Sequence, residues 1–261
     1  MALSTPTQTL SFNKLHASGN DFILIEDFDL SVALDKATIS HLCQRRTGVG
    51  ADGLILIQPS KVADFKMVYF NSDGSVAPFC GNGLRCVVFF LTSDNQAKIS
   101  IETGAGIHWG CREKEGVHIS LPKPECCYLN QNFAILGQAF TAHKVIVGVP
   151  HIVCFVEDLE TFDVTYYGAS LHHLDSNINF AEMGDNGEVH LRTFERGVND
   201  ETLACGSGGG AAAFVANQIY GQEPKRGVVF RHGERALYCA SLEHLSMEGT
   251  ASFVYKGVLS C

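Results

Sequence analysis

The apolar and polar positions of this chain change rhythm several times, and each change marks an element. Short runs alternating or continuously apolar over five or six residues, "FILIE" (22–26), "GLILIQ" (53–58), "KISIET" (98–103), "GVHISL" (116–121), "IVCFVE" (152–157), "GVVFRH" (227–232) and "SFVYKG" (252–257), predict strands. Two further segments, "DFKMVYF" (64–70) and "VHLRTFE" (189–195), alternate with period two and predict half-buried strands. "DKATISHLCQRR" (35–46) and "DLETFDVTYYGASLHHL" (158–174) predict surface helices. Two others are different in kind. "GLRCVVFFLTS" (83–93) and "GGGAAAFVANQIY" (208–220) are apolar on nearly every face, which predicts central helices wrapped by strands.

These elements come in two copies. Sliding the chain over itself by 125 residues lays Cys80 on Cys205, Gly81 on Gly206 and Gly83 on Gly208, and brings the two alternating strands before them into coincidence. Each copy reads strand, polar loop, Cys-Gly-x-Gly, buried helix. A second echo, at a shift of 129, joins "LHASGNDFILIED" to "VIVGVPHIVCFVED". The expectation is an α/β (α+β) chain of two pseudo-symmetric homologous domains, each a curved sheet or barrel around one buried helix, with a ligand cleft between them. The prolines of "LPKPECCYLNQNF" (121–133) suggest the break. Residues 1–128 together with a returning strand at about 252–261 would then form the domain that carries Cys80, and 129–251 the one that carries Cys205.

Composition narrows the partners. The chain has 261 residues, 46% of them hydrophobic and 18% charged, so it can bury two ordinary cores. A net charge of −9 argues against nucleic acid or an anionic membrane as partner and leaves a small molecule open. The first ten residues lack the charged and apolar regions of an export signal, and the longest apolar runs are too short to span a bilayer, so a cytoplasmic location is expected. Ten cysteines in such a chain are not expected to form a disulfide framework. Cys43, Cys86, Cys111, Cys126, Cys127, Cys154, Cys239 and Cys261 fit no metal spacing and are expected to be inert, partly buried thiols, with no metal bound.

Cys80 and Cys205 stand apart because each precedes a helix. The first N–H groups of a helix have no internal partner and carry partial positive charge, so a thiol there has its thiolate favoured. The glycines would let a ligand approach those N–H groups. Two such helix starts facing each other could hold one carboxylate and offer a thiol on each side. One thiolate could then remove the hydrogen beside the carboxylate while the other thiol returns a proton to the opposite face, inverting the carbon without a cofactor.

The ordered set "LHASGNDF", "FNSDGSVAPFCGNGLRC", "GVPHIV", "SNINF" and "ERGVNDETLACGSG" closely resembles the diaminopimelate epimerase family over nearly the whole chain. The resemblance implies a cofactor-independent isomerase that interconverts LL- and meso-diaminopimelate in lysine and peptidoglycan synthesis. It implies Cys80 and Cys205 as the acid–base pair and the amides of Gly81, Asn82, Gly206 and Ser207 as the grip on the reacting carboxylate. It also implies Asn20, Asn71 and Asn177 as cleft residues, Arg196 as the partner of the distal carboxylate, and His151 and Glu195 as groups that set thiol protonation. Read alone, the asparagines are turn formers, Arg196 a solvated loop residue, Glu195 a surface carboxylate, and His151 a strand-start histidine bonded locally.

Two positions depart from the family pattern. Val149 stands in "GVPH" where the family has asparagine, and Gly53 stands where it usually has glutamine. Both remove polar cleft groups, which leads to the expectation that other acidic amino acids, glutamate first, are also racemised. A proline- or hydroxyproline-type racemase, a thiol redox protein and an amino-acid binding protein are the competing functions. A homodimer is the default assembly.

Overall fold

The computed structural model describes residues 9–93, 97–114 and 116–260, without the side chains of His172 and Ser260. Cys261 lies outside the described residues. The chain divides into two compact units, residues 1–117 with 251–261 and residues 118–250.

The first unit begins with β1 (Thr9–Ala17) and β2 (Asn20–Glu26), an antiparallel hairpin turned by Ser18 and Gly19, both at positive φ. A crossover through α1 (Lys36–Cys43) leads to β3 (Gly53–Gln58), which lies parallel to β2. Next come β4 (Phe65–Asn71), antiparallel to β3, and the short β5 (Val76–Ala77). The helix α2 (Gly81–Leu91) follows, then β6 (Ile99–Thr103), β7 (Gly106–Glu113) and β8 (Gly116–Ser120), in which the unit boundary falls. β6 is parallel to β4 and antiparallel to β7.

The second unit repeats this plan. β9 (Glu125–Ile135) and β10 (Gln138–Val147) form a hairpin, and β10 turns into β11 (Val149–Phe155) at Gly148, again at positive φ. After α3 (Val164–Ser170) and a 3-10 turn at His172–Leu174, β12 (Asn177–Met183) runs parallel to β11. β13 (Val189–Glu195) and β14 (Asp200–Thr202) follow, then α4 (Gly206–Ile219), β15 (Arg226–Phe230), β16 (Arg235–Ala240) and β17 (Leu245–Gly249). β15 is parallel to β13 just as β6 is to β4. The last strand, β18 (Ser252–Ser260), returns to the first unit and pairs antiparallel with β1.

Alternation decides what each sheet face does. In the first unit Ile23, Ile25, Leu54 and Leu56 point to one side and pack under α1 with Ile39 and Leu42. Their neighbours Phe22, Ile55 and Met67 point the other way, and Ile55 and Met67 reach Gly83 in the first turn of α2. α2 contacts β1, β2, β4, β7 and β18, while α4 contacts every strand from β10 to β13 and from β15 to β17. Both helices are therefore central, as their uniform apolarity predicts.

Two expectations need correction. The segment expected to separate the halves is instead β9, an eleven-residue strand whose pairing with β10 continues through Gln138↔Ile135. Pro122 and Pro124 precede it, where a missing N–H costs nothing. The helix expected over 158–174 is only α3, because Asp158 folds a turn by accepting from the N–H and hydroxyl of Thr161. The carbonyls of Leu159 and Phe162, which a helix would use internally, accept from the Arg192 guanidinium at 2.8 and 2.9 Å. Asp163 then caps α3 through the N–H of Tyr166.

Candidate active site

Each unit places a thiol as the N-cap of its central helix. Cys80 has extended backbone (φ −146°, ψ 112°) and its Sγ accepts from the N–H of Gly83 at 3.4 Å. Cys205 has nearly the same backbone (φ −121°, ψ 108°), and its Sγ accepts from the N–H of Gly208, also at 3.4 Å. The first intrahelical bonds run from Leu84 to the carbonyl of Cys80 and from Gly209 to that of Cys205, both at 2.8 Å. The amides of Gly81 and Asn82, and of Gly206 and Ser207, lie ahead of those bonds, at the positive end of the helix dipole.

The surroundings of the two thiols differ. Asn20 Oδ1 accepts from Asn82 Nδ2 at 3.2 Å and lies 3.9 Å from Cys80 Sγ, with the thiol as donor. Asn20 Nδ2 donates to Asp52 Oδ2 at 2.8 Å, which fixes the orientation of its amide. Arg45 bridges Asp52 and Asp21, and Lys14 closes the chain on Asp21. Burial alone would raise the Asp21 carboxyl, but hydrogen bonds and charge from Arg45 and Lys14 outweigh it and hold it at about 2. Asn82 also accepts from the fully buried Arg85, which donates to Ser18 as well.

In the second unit the support is a buried relay. Thr193 Oγ1 donates to Asn179 Oδ1 at 3.0 Å, and Asn179 Nδ2 lies 3.2 Å from His151 Nδ1. With Nδ1 accepting, His151 carries its proton on Nε2, 3.0 Å from Ser207 Oγ, which is 3.6 Å from Cys205 Sγ. Burial, assisted by the charge of Arg196, pushes the His151 imidazole down to about 3, so it is neutral at physiological pH.

The structure thus gathers Cys80, Asn20 and Asn82 in one unit and Cys205, Ser207 and His151 in the other. The remaining candidates have local duties. Asn71 heads a turn, its side chain donating to Ser75 Oγ at 3.0 Å. Asn177 Oδ1 accepts from the backbone N–H of Arg196 at 2.9 Å. The Arg196 guanidinium is exposed and pairs with Asp175 at 2.9 Å, while the half-buried Glu195 ends β13. Sequence reasoning missed Asp52, Arg45, Asn179 and Thr193. Only Asn179 and Thr193 left a trace, as polar residues at inward positions of apolar strands.

Other thiols divide by burial. It raises Cys43 to about 11 and Cys154 to about 12, and Cys86 further still, so these are inert. Cys126 and Cys127, expected to be partly buried, are exposed on β9. The glycines of α4 also have a duty beyond ligand approach. A Cβ on Gly208 would lie 2.5 Å from Asn179 Oδ1, and one on Gly209 2.3 Å from the Tyr238 hydroxyl. Among the described residues no helix is long and apolar enough to cross a membrane, and no group of three or more His, Cys, Asp or Glu side chains could hold a metal ion.

Several known proteins share this fold. Solved structures that superpose include a hydroxyproline epimerase from Agrobacterium vitis (TM-score 0.79, 12% identity, 98% of this chain and 93% of that one). A phenazine biosynthesis protein from Bacillus anthracis also superposes (TM-score 0.73, 15% identity, 97% and 99%). At these identities the likeness establishes the fold alone. Sequence relatives are nearer. A diaminopimelate epimerase from Archaeoglobus fulgidus is 33% identical, with 96% of each chain covered. One from Alkaliphilus metalliredigens is 32% identical over 95% of this chain and 97% of its own. One from Flavobacterium psychrophilum is 38% identical over 77% and 79%. The family model described as diaminopimelate epimerase matches residues 12–119 and 144–254, one segment in each unit. With a capping thiol in each matched segment, the chain belongs to the diaminopimelate epimerase family.

Proposed function

We propose that the protein is a cofactor-independent isomerase that interconverts LL- and meso-diaminopimelate by proton transfer at the α carbon. The observation that carries this reading is the paired capping geometry of Cys80 and Cys205, each with its sulfur 3.4 Å from the amide three residues on. A sulfur in that position is solvated by a backbone donor as a thiolate and can serve as a base.

In the forward direction one thiolate takes the α-hydrogen and becomes a thiol. The electron pair left on carbon delocalises into the carboxylate, whose added charge falls on the helix-start amides of Gly81, Asn82, Gly206 and Ser207. The second thiol delivers its proton to the opposite face and becomes the thiolate. Atoms and charge balance, and the enzyme finishes with its two protonation states exchanged. Asn20, held by Asp52, directs an acceptor at Cys80, while Ser207, held by His151, directs a hydroxyl at Cys205. Arg196, Asn71, Asn177 and Glu195 complete the substrate contacts in this reading. Because Val149 offers no hydrogen bond at the position opposite Asn20 in the repeat, glutamate is included as a second substrate.

The test is solvent exchange. Reduced enzyme in heavy water with LL-diaminopimelate, meso-diaminopimelate, L-glutamate, L-aspartate or L-proline should lose the α-proton NMR signal of the first three. Cys80→Ala and Cys205→Ala should each abolish inversion. Exchange of L-proline alone would replace this reading with a proline-type racemase, and full inversion by either single variant would exclude the two-base chemistry.

A further inference from the structure

Cys80 and Asn20 meet in a part of the first unit where a loop is tied to the β1–β2 hairpin. The N–H of Asp52 donates to the carbonyl of Asp21 at 2.9 Å, and the N–H of Asp21 returns a bond to Asp52 Oδ2 at 3.2 Å. This reciprocal pair sets the Asp52 carboxylate beside Asn20, the residue before Asp21. Its Oδ2 accepts from Asn20 Nδ2 at 2.8 Å, and its Oδ1 accepts from Arg45 Nη2 at 2.6 Å.

An amide held at its nitrogen has its oxygen committed to the other side. Asn20 Oδ1 accepts from Asn82 Nδ2 at 3.2 Å and stands 3.9 Å from Cys80 Sγ. Asn82 is itself fixed, because its Oδ1 accepts from Arg85 Nη2 at 2.7 Å. Asn20 is therefore clamped at both ends, by a carboxylate that only accepts and by an amide nitrogen that only donates. Turning it over would set its nitrogen against Asn82 Nδ2 and its oxygen against the Asp52 carboxylate.

Stability does not account for this clamp. The Asp52 and Arg45 side chains are 41% and 59% exposed, and ion pairs so open to water contribute little. Lys14 and Arg45 balance Asp21 and Asp52 in charge, so what Asn20 passes on to Cys80 is the direction of its dipole. Of the other titratable groups near this helix start, Arg85 bonds Asn82 and Ser18, and His108 packs its ring on Phe79. The helix amides treat the two sulfurs alike, since Gly83 donates to Cys80 and Gly208 to Cys205 at the same 3.4 Å. Side chains make the difference. The Ser207 hydroxyl near Cys205 is able to donate, whereas Asn20 Oδ1 can only accept, and an acceptor turned to sulfur favours S–H over the thiolate.

We propose that Asp52 is a positioning residue of the site: through Asn20 it keeps a hydrogen-bond acceptor on Cys80, so that this sulfur rests as the thiol and enters the reaction as the proton donor. This rests on the epimerase reading above and assigns the roles within it. From the resting enzyme, Cys205 takes the α-hydrogen while Cys80 gives its proton to the opposite face. Exchange with solvent then restores the resting pair, Cys80 taking up one proton and Cys205 releasing one.

The experiment alkylates reduced, substrate-free enzyme with iodoacetamide across a pH series and follows Cys80 by mass spectrometry. The rate at neutral pH, taken as a fraction of the alkaline plateau, reads protonation and cancels differences of access. In wild type this fraction should be at most about a tenth. In Asp52→Asn the new amide keeps its oxygen on Arg45 and turns its NH2 to Asn20, and the fraction should rise about tenfold as the acceptor leaves Cys80. Asn20→Ala removes the acceptor outright and should give a similar rise, to which Asp52→Asn in the same chain should add less than about twofold. Cys86, fully buried on the same helix, stays unlabelled where the unit is intact; if Asp52→Asn exposes it, Asp52→Ala, which only takes the acceptor from Asn20 Nδ2, stands in. A wild-type Cys80 already at its plateau at neutral pH, an unchanged fraction in either single variant, or a full further rise in the double variant overturns the proposal. None of these readings needs turnover, so the epimerase reading stands or falls separately, on α-proton exchange by the wild type.

Discussion

Burial of His151 makes a quantitative claim about acid stability. In the folded chain its imidazole is held at about 3, against 6.5 for a solvated histidine. The unfolded chain therefore takes up the proton first as the pH falls. The contribution of His151 is fully present above about pH 6.5, declines between 6.5 and 3, and changes no further below. Integrating that difference gives a loss of about 2 kcal/mol between pH 7 and pH 5 and about 3 kcal/mol by pH 4. His151→Gln removes the titration and retains an amide that can face both Asn179 and Ser207. Urea unfolding of both proteins at pH 7 and pH 5 should show wild type losing about 2 kcal/mol more than the variant. If the two lose the same amount within about 0.5 kcal/mol, His151 titrates normally in the fold and the neutral relay to Ser207 is wrong.

Gly209→Ala forces a methyl against the Tyr238 hydroxyl, which donates to the carbonyl of Gly206, and should cost about 2 kcal/mol in thermal unfolding together with a fall in exchange rate. Arg192→Ala leaves the buried Glu201 with a weakened partner set, strips the carbonyl of Leu159 of its donor and leaves that of Phe162 only the N–H of Val164; a loss of about 3 kcal/mol in urea unfolding is expected. Iodoacetamide mapping by mass spectrometry on native protein should label Cys126 and Cys127, and should reach Cys43, Cys86 and Cys154 only after denaturation.

What the sequence made legible was whatever is written locally. A cysteine before a glycine and an apolar helix announces an N-cap, and the two copies of that pattern announced the duplicated plan. Alternation placed β4 and β13 for the same reason. What stayed hidden depends on partners far apart in the chain. Arg45 looks like the end of a surface helix until β2 and the loop before β3 bring Asp21 and Asp52 to it. Arg192 takes the carbonyls that helix 158–174 would have needed, and no local pattern carries that competition. The space beside Gly53 is closed by Tyr69, sixteen residues on and on the neighbouring strand, and by the carbonyl of Phe70, and no local pattern shows that.

The return of β18 to pair with β1 bears on how the molecule is made. Leu259 joins Leu10, Phe12 and Ile25 in the core of the first unit, and Gly257 leaves room for the Phe12 ring. Those residues leave the ribosome only after the whole of the second unit has been synthesised. During that interval the edge of β1 has no β18 to cover it, so the second unit can finish folding while the first still waits for a strand. The half that is translated first is then the half that matures last, and a nascent chain stalled within residues 200–250 would hold the capping thiol Cys80 in a unit whose β1 edge is still open to pairing with a neighbour.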